Sequence, residues 1–420
     1  MATGIGRASA ATPLPADEAG RLVPARFDYL DGIRAVAAMF VVVHHSWLLA
    51  YPGFPRNVGP SWLGWMLYGH MAVSVFIVVS GFSLAIAPMR RDLHLPGSSA
   101  QFIARRGWRI LPTYWAALAL SCVVFGVVTA DRTGDAVDLK AIVVHAVMLQ
   151  DVVDSAKPNG AFWSIAVEWQ IYFLFPVMLY LSRRLGMSRT FAGTLLLVLA
   201  GYLLAVSLSP FERFLNITPQ YIALFAMGVL AAGLLRPAAD LRWTRVLLPV
   251  GVVLAVAFIA LCRAQGSVWV VDHFFWVDLL VGAAVAAAIG ALAVGRGHAA
   301  ARLLGSRVLV GVGAYSYSIY LVHAPILWLV WHFGVSRPEL SPGARLALLL
   351  ATAGPIVLVT CWLFHLVFER PFLTRRSWAA WRDLLTTHAA RRAGPPAPGL
   401  PPPAAVAVAD LGPAQPAGER

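Results

Sequence analysis

The chain has 420 residues, 59% hydrophobic and 13% charged, with a formal net charge of +13. A soluble domain of this length cannot hide that much apolar surface, so the composition specifies a protein that crosses a membrane many times. The basic residues stand in short clusters between apolar runs rather than on one patch, which excludes a nucleic-acid-binding surface and points to control of topology.

Residues 1–28 lack the apolar run of a cleaved signal peptide and read as a cytoplasmic tail. A spanning helix needs roughly 20 mostly apolar residues. Such runs recur near 33–50, 63–88, 108–130, 161–182, 189–207, 217–235, 243–262, 268–294, 307–333 and 344–368. With the N-terminus in the cytoplasm, 24 of the 33 Lys and Arg residues fall on the inner side and eight on the outer, with Arg34 at the inner boundary. This alternation predicts an all-α, polytopic transmembrane helical bundle of ten spans in the plasma (inner) membrane, both termini cytoplasmic. Residues 29–373 form the transmembrane domain, and the Pro- and Ala-rich residues 374–420 are expected to be a disordered cytoplasmic tail. The long external loop, about 131–160, carries Asp131, Asp135, Asp138, Asp151 and Asp154. Its stretch "LKAIVVHAVML" is too short to span and predicts an interfacial helix. Cys122, Cys262 and Cys361 are scattered, with neither a disulfide framework nor a metal-ligand spacing.

Polar groups inside the spans are costly and therefore informative. In the first span, Arg34 and His45 are eleven residues apart, which is about 20° past three full turns and about 16 Å of rise. They share a face, whereas His44 sits about 80° away from Arg34. The second span places Ser80 and Gly81 in its inner half, where glycine permits close helix approach. The third opens with "RRGWRILPTYW"; Arg105 and Arg109 share a face, with Arg106 beside them. Three arginines at a helix mouth satisfy topology, and they also suit the phosphates of a cytoplasmic donor. In the fourth span, Ser164, Glu168 and Tyr172 recur every four residues and form one polar stripe. Glu168 and His45 can meet in the central-to-outer membrane, where the carboxylate would orient the imidazole; a purely structural contact between helices is the other reading. The eighth span holds Asp278, an acid with no partner legible in the sequence, and the ninth aligns Ser316, Tyr320 and His323 on one face. Either His323 lines a cavity or it bonds across helices. There is no phosphate-binding loop, no G-x-S-x-G elbow and no H-E-x-x-H.

These residues resemble acyltransferase family 3, the integral-membrane O-acyltransferases. "LDGIR" followed after ten residues by His45 is similar to the family's opening motif. "VSVFIVVSGF", "RRGWRILPTYW", "WSIAVEWQIYFLFP", "SYSIYLVHAPI" and "FERPF" resemble its later landmarks, in order, over about residues 29–373. Trp169 stands where many members carry a second glutamate, which leaves the carboxylate role to Glu168. No hydrolase-like domain follows the tenth span, so the chain reads as a stand-alone member.

The resemblance implies transfer of an acyl group, often acetyl, from cytoplasmic acyl-coenzyme A to a hydroxyl. Family acceptors include sugars of surface polysaccharides and lipids, peptidoglycan, and macrolides. Arg105, Arg106 and Arg109 would then hold coenzyme A phosphates, with Arg34 and Ser80 also on the donor. His45 would be either the general base on the acceptor hydroxyl, oriented by Glu168, or a nucleophile that carries the acyl group. Ser164, Tyr172, Tyr320 and His323 would face substrate. The alternative from another class is a transporter or flippase of a lipid-linked or glycosylated substrate, although no internal repeat of the kind transporters use is visible.

Overall fold

The computed structural model describes residues 27–374 except 129–137, 154, 156, 209–214, 238, 240–241 and 243. The expected N-terminal tail up to residue 26, the C-terminal tail from residue 375, and Asp131, Asp135 and Asp154 of the external loop lie outside the described residues. Among the described residues, ten helices are long and apolar enough to cross a membrane, matching the count read from the hydropathy pattern. Their main segments are α1 (Asp28–Ala50), α2 (Met71–Met89), α3 (Ser99–Val123), α4 (Trp163–Leu185) and α5 (Met187–Ser207). They continue with α6 (Gln220–Ala232), α7 (Thr244–Asp272), α8 (Phe274–Ala293), α9 (Ser316–Val330) and α10 (Pro342–Phe364). The face on which α1 begins also receives the arginine-bearing connections around 90–98, 183–187 and 294–307, and is called here the arginine-rich face.

Helices in lipid gain nothing from merely hiding apolar surface against one another, so close packing of small residues decides who pairs with whom. α2 and α6 form the centre. A Cβ at Gly81 would overlap the Phe225 carbonyl oxygen, and one at Gly228 would overlap that of Val78. The two backbones therefore touch through reciprocal glycines, and Gly81 has the packing role its sequence context indicated. Phe82, Tyr221 and Phe225 are fully buried around this contact. By contrast, α7 buries only Thr244, Gly251 and Val270 and lies at the edge of the bundle.

The third and ninth spans are displaced furthest from their predicted starts. The third starts at Ser99, not near 108, because Ser98 and Gln101 form a capping box: Ser98 Oγ accepts from the Gln101 amide at 3.2 Å and Gln101 Oε1 from the Ser98 amide at 3.1 Å. Arg105, Arg106 and Arg109 are thus well inside the helix rather than at its mouth. The ninth span starts at Ser316, not at 307; Arg307–Gly313 is a separate short helix, broken from α9 by a turn at Ala314 and Tyr315. Together with His298–Leu304 it cradles the start of α1. A side chain at Gly32 would strike the Leu304 carbonyl, and one at Gly313 the Asp31 carbonyl.

At the far end of α9 and α10's partnership, Glu369 accepts from Ser318 Oγ at 2.6 Å and from His365 Nδ1 at 2.9 Å while only 2% exposed. The "FERPF" segment is a clasp between the two helices. On the opposite face the loop at 138–160 does contain a helix, Leu139–Ala146, capped by Asp138 Oδ1 accepting from the Ala141 amide. Gln170 Nε2 donates to both oxygens of Asp151 at 3.0 Å, and Trp115 Nε1 donates to the Ala146 carbonyl, so the loop is bound down onto α3 and α4. Burial holds the Asp151 carboxyl above its usual range and the His145 imidazole below its own.

Candidate active site

The face shared by Arg34 and His45 opens not into one cavity but into two. The first, about 220 Å³, is lined toward the arginine-rich face by Arg34, Arg106 and Arg109, and deeper by Ser80, Glu168 and Tyr172. The second, about 340 Å³, holds His44, His45, His70, Trp163 and Phe274. Val73 and Tyr320 line both. The wall between them is completed by a hydrogen bond of 2.6 Å between Ser164 Oγ and Tyr320 Oη, joining α4 to α9.

The first cavity is cationic. Arg34 is held by Asp31 Oδ1 at 2.8 Å and by Ser83 Oγ at 2.6 Å, which fixes the guanidinium against the cavity. Arg106 lies over the Phe102 ring at 5.8 Å. Arg105, grouped with these in sequence, turns away: its Nη2 donates to the Pro96 carbonyl at 2.7 Å, and it does not line the cavity. The reason is the earlier helix start, which packs the first turns of α3 beneath the loop preceding Ser98.

Glu168 does not meet His45. Its Oε1 accepts from Tyr172 Oη at 2.6 Å, one turn along its own helix, and Ser80 Oγ stands 3.2 Å from the same Tyr172 oxygen. The predicted stripe of Ser164, Glu168 and Tyr172 is therefore real, but Glu168 and Tyr172 belong to the arginine cavity and Ser164 to the wall. The expected carboxylate–imidazole pair is replaced by a pair of imidazoles. His45 Nδ1 lies 2.9 Å from the Val41 carbonyl and 3.3 Å from His323 Nε2. His323 Nδ1 lies 3.0 and 2.8 Å from the Ile319 and Tyr320 carbonyls.

A carbonyl only accepts, so both Nδ1 atoms carry the hydrogen; the tautomers are assigned from these partners. His323 Nε2 then offers its lone pair to His45 Nδ1–H, and His45 Nε2 is left with a lone pair facing the second cavity. His323, fully buried and absent from both cavity linings, stands against His45 where sequence reasoning expected Glu168. His44 Nδ1 donates to the Met66 carbonyl at 2.9 Å and braces the second cavity's wall.

Sequence reasoning missed His70, Trp163 and Phe274, and it left Asp278 without a partner. His70 Nε2 lies 3.1 Å from Asp278 Oδ2, and the ring stacks on Phe274 with centroids 3.7 Å apart. The only available signal was two isolated polar residues, one at the start of α2 and one inside α8.

Fold and cavities together define a multi-span membrane protein in which a cationic cavity backs onto a histidine-lined one across a thin wall. The chain belongs to the acyltransferase domain family that its motifs resemble, acyltransferase family 3, whose profile matches residues 27–366. It is 27% identical over 380 residues to the acyltransferase MdmB of Streptomyces mycarofaciens, an alignment that takes in 82% of this chain and 91% of the relative. It is 24% identical over 332 residues to the O-acetyltransferase OatA of Staphylococcus aureus, covering 72% of this chain and 50% of OatA. YrhL of Bacillus subtilis, which carries the name of a peptidoglycan O-acetyltransferase, is 26% identical over 326 residues, 71% of this chain and 48% of its own length. The chain thus spans about half the length of OatA and YrhL. No solved structure matches it.

Proposed function

We propose that the protein moves an acyl group, acetyl in the simplest case, from acyl-coenzyme A in the arginine cavity to a hydroxyl of a sugar-containing acceptor in the second cavity. Membership in an acyltransferase family favours transfer over the alternative of transport. The relatives named for O-acetyl transfer support acetyl as the group and, in one case, a glycan as the acceptor. The clustering of Lys and Arg supports a cytoplasmic arginine-rich face, where acyl-coenzyme A is found, in a plasma membrane with both termini inside.

Arg34, Arg106 and Arg109 suit the phosphates of coenzyme A, because guanidinium forks pair with phosphate oxygens in bidentate fashion. Glu168, bonded to Tyr172, sets the charge and shape of the same cavity and holds Tyr172 toward Ser80. Tyr320 and Ser164 form the boundary that the acyl group must cross.

The observation that carries the reading is the free Nε2 of His45, on the acceptor side of a wall shared with the donor cavity. With the coenzyme A phosphates at the arginines and the acceptor in the second cavity, the thioester end of the donor must pass the Ser164–Tyr320 bond to reach His45, which then acts as an acyl carrier. Nε2 attacks the thioester carbonyl, the C–S bond breaks, and the electron pair leaves on sulfur, which takes a proton from solvent. The Nδ1 proton passes to His323 Nε2, 3.3 Å away, leaving a neutral acyl-imidazole. The acceptor oxygen then attacks the acyl carbon and gives up its hydroxyl proton on the second-cavity side, the C–N bond breaks, and the proton held by His323 returns to His45.

The test is to mix radiolabelled acetyl-coenzyme A with detergent-purified protein, quench rapidly, and map the label. The parent should yield acetyl-His45 with release of coenzyme A, and His45→Ala should yield neither. Full activity in His45→Ala would overturn the assignment, and transfer by the parent without any labelled enzyme would return His45 to general-base duty.

A further inference from the structure

The second cavity contains a carboxylate–imidazole dyad, but the imidazole is not His45. Asp278, fully buried in α8, accepts from Ser74 Oγ at 2.6 Å, from Gln220 Nε2 at 3.0 Å and from His70 Nε2 at 3.1 Å. A carboxylate facing an imidazole lone pair at that distance would be repelled, so His70 Nε2 bears the hydrogen. Tyr221 Oη, 3.0 Å from the same nitrogen, shares that hydrogen or points its own elsewhere. Nδ1 is then the lone-pair nitrogen, and it has no hydrogen-bond partner among the described residues. The ring cannot tilt: Phe274 stacks on it at 3.7 Å with planes 5° apart, and Trp163 at 5.5 Å with planes 9° apart. Only an edge is free, and His70 lines the second cavity with 16% of its side chain exposed.

An ionised carboxylate inside a membrane domain is costly, and a bundle that needed only packing would place an apolar residue at 278. Here the carboxylate is bonded on both oxygens and spends one bond fixing an imidazole whose other nitrogen meets the cavity. That is the arrangement by which a base is held in one tautomer and its protonated form stabilised. His45, supported by neutral partners alone, lacks that support.

We propose that His70, oriented by Asp278, is the base that deprotonates the acceptor hydroxyl in the second cavity; this rests on the reading that His45 carries the acyl group. In the second half-reaction the acceptor O–H proton goes to His70 Nδ1 as the oxygen attacks acyl-His45. The O–C bond forms, the C–N bond breaks, and His70 later yields its proton to solvent on the face opposite the arginines. Asp278 is a positioning residue.

The experiment compares two nucleophiles on the full-length protein loaded with acetyl-coenzyme A. Methyl β-glucoside is the sugar hydroxyl probe and needs a base. Hydroxylamine discharges an acyl-imidazole without one. His70→Phe preserves the stacked ring, and Asp278→Asn preserves volume. Both variants should still release coenzyme A on mixing and still respond to hydroxylamine, while transfer to the glucoside falls about 10²- to 10⁴-fold, the usual worth of a general base. Equal loss toward both nucleophiles would reduce the dyad to a structural brace, and parental transfer to the glucoside would remove His70 from the reaction. A parent that acetylates hydroxylamine but never the glucoside would overturn the sugar-hydroxyl assignment. If the parent transfers without forming acyl-enzyme, the His45 carrier fails, yet the glucoside-to-hydroxylamine ratio in the two variants still decides the role of His70.

Discussion

Replacing Arg109 and Arg105 by glutamine, separately, distinguishes cavity geometry from mere helix-mouth charge. Both are arginines of α3 one turn apart, yet Arg109 lines the first cavity while Arg105 is tied to the Pro96 carbonyl. A charge-assisted hydrogen bond to a phosphate contributes about 1.5–3 kcal/mol, and each 1.4 kcal/mol is tenfold in affinity. Arg109→Gln should therefore weaken acetyl-coenzyme A binding by roughly 10- to 150-fold. Arg105→Gln removes a charge outside the cavity, and much of its influence is screened over a Debye length of about 8 Å at physiological salt. Its effect on binding should stay within about threefold, with some loss of order in the loop that Pro96 belongs to. The assay is calorimetric titration of acetyl-coenzyme A into detergent-solubilised protein at two salt concentrations. Equal weakening by the two variants would mean that the arginines act only as a diffuse positive field, and the cavity would not be the donor site.

Glu168→Gln keeps an acceptor for the Tyr172 hydroxyl but removes the one carboxylate lining the arginine cavity, so donor affinity should rise severalfold while acyl-His45 still forms; calorimetry and acid-quench labelling read the two effects. His44→Ala should retain most acyl transfer but lower thermal stability, because the buried Met66 carbonyl loses its donor at a cost of about 1–3 kcal/mol, which a melting curve measures. His323→Phe removes the proton acceptor for His45 Nδ1 and should slow acyl-enzyme formation at least tenfold in stopped-flow release of coenzyme A. The loop helix at 139–146 should loosen in acid. Burial keeps His145 neutral when folded, so between its lowered folded value and its ordinary one near 6.5 the unfolded loop binds the extra proton, and stability falls as pH drops through that window. Asp151, held above its usual value, has the opposite sign, so the comparison is parent against His145→Phe by hydrogen exchange at pH 7.5 and 5.5; an identical pH response in both would remove His145 as the cause.

The ten spans were legible because each is an apolar run of the necessary length. The shared face of Arg34 and His45 was legible for the same reason: helical geometry relates residues on one helix. The predicted His45–Glu168 contact failed because that geometry gives each residue an angle and a depth on its own helix, but not the rotation of the neighbouring helix. Here Ser164 and Tyr320 occupy the intervening space. Residues 307–313 look like the start of a span by hydropathy; the glycine contacts with α1 that detach them are a tertiary fact. His70 and Asp278, 208 positions apart, each look like a lone polar residue until α2 and α8 are brought together.

The wall between the two cavities has an electrical meaning. Val73, Tyr320 and Ser164 separate the two cavities, so a potential applied between those cavities drops over the layer that these side chains form. A unit charge crossing the full potential changes energy by about 2.3 kcal/mol per 100 mV. His45 and His323 sit beside that layer, and an imidazolium formed there feels a field far steeper than the bilayer average. Steps that create or discharge that cation should run at different speeds in energised and de-energised vesicles, because the proposed steps take up one proton on the arginine-rich side and release one on the other, moving one unit of charge per acyl transfer.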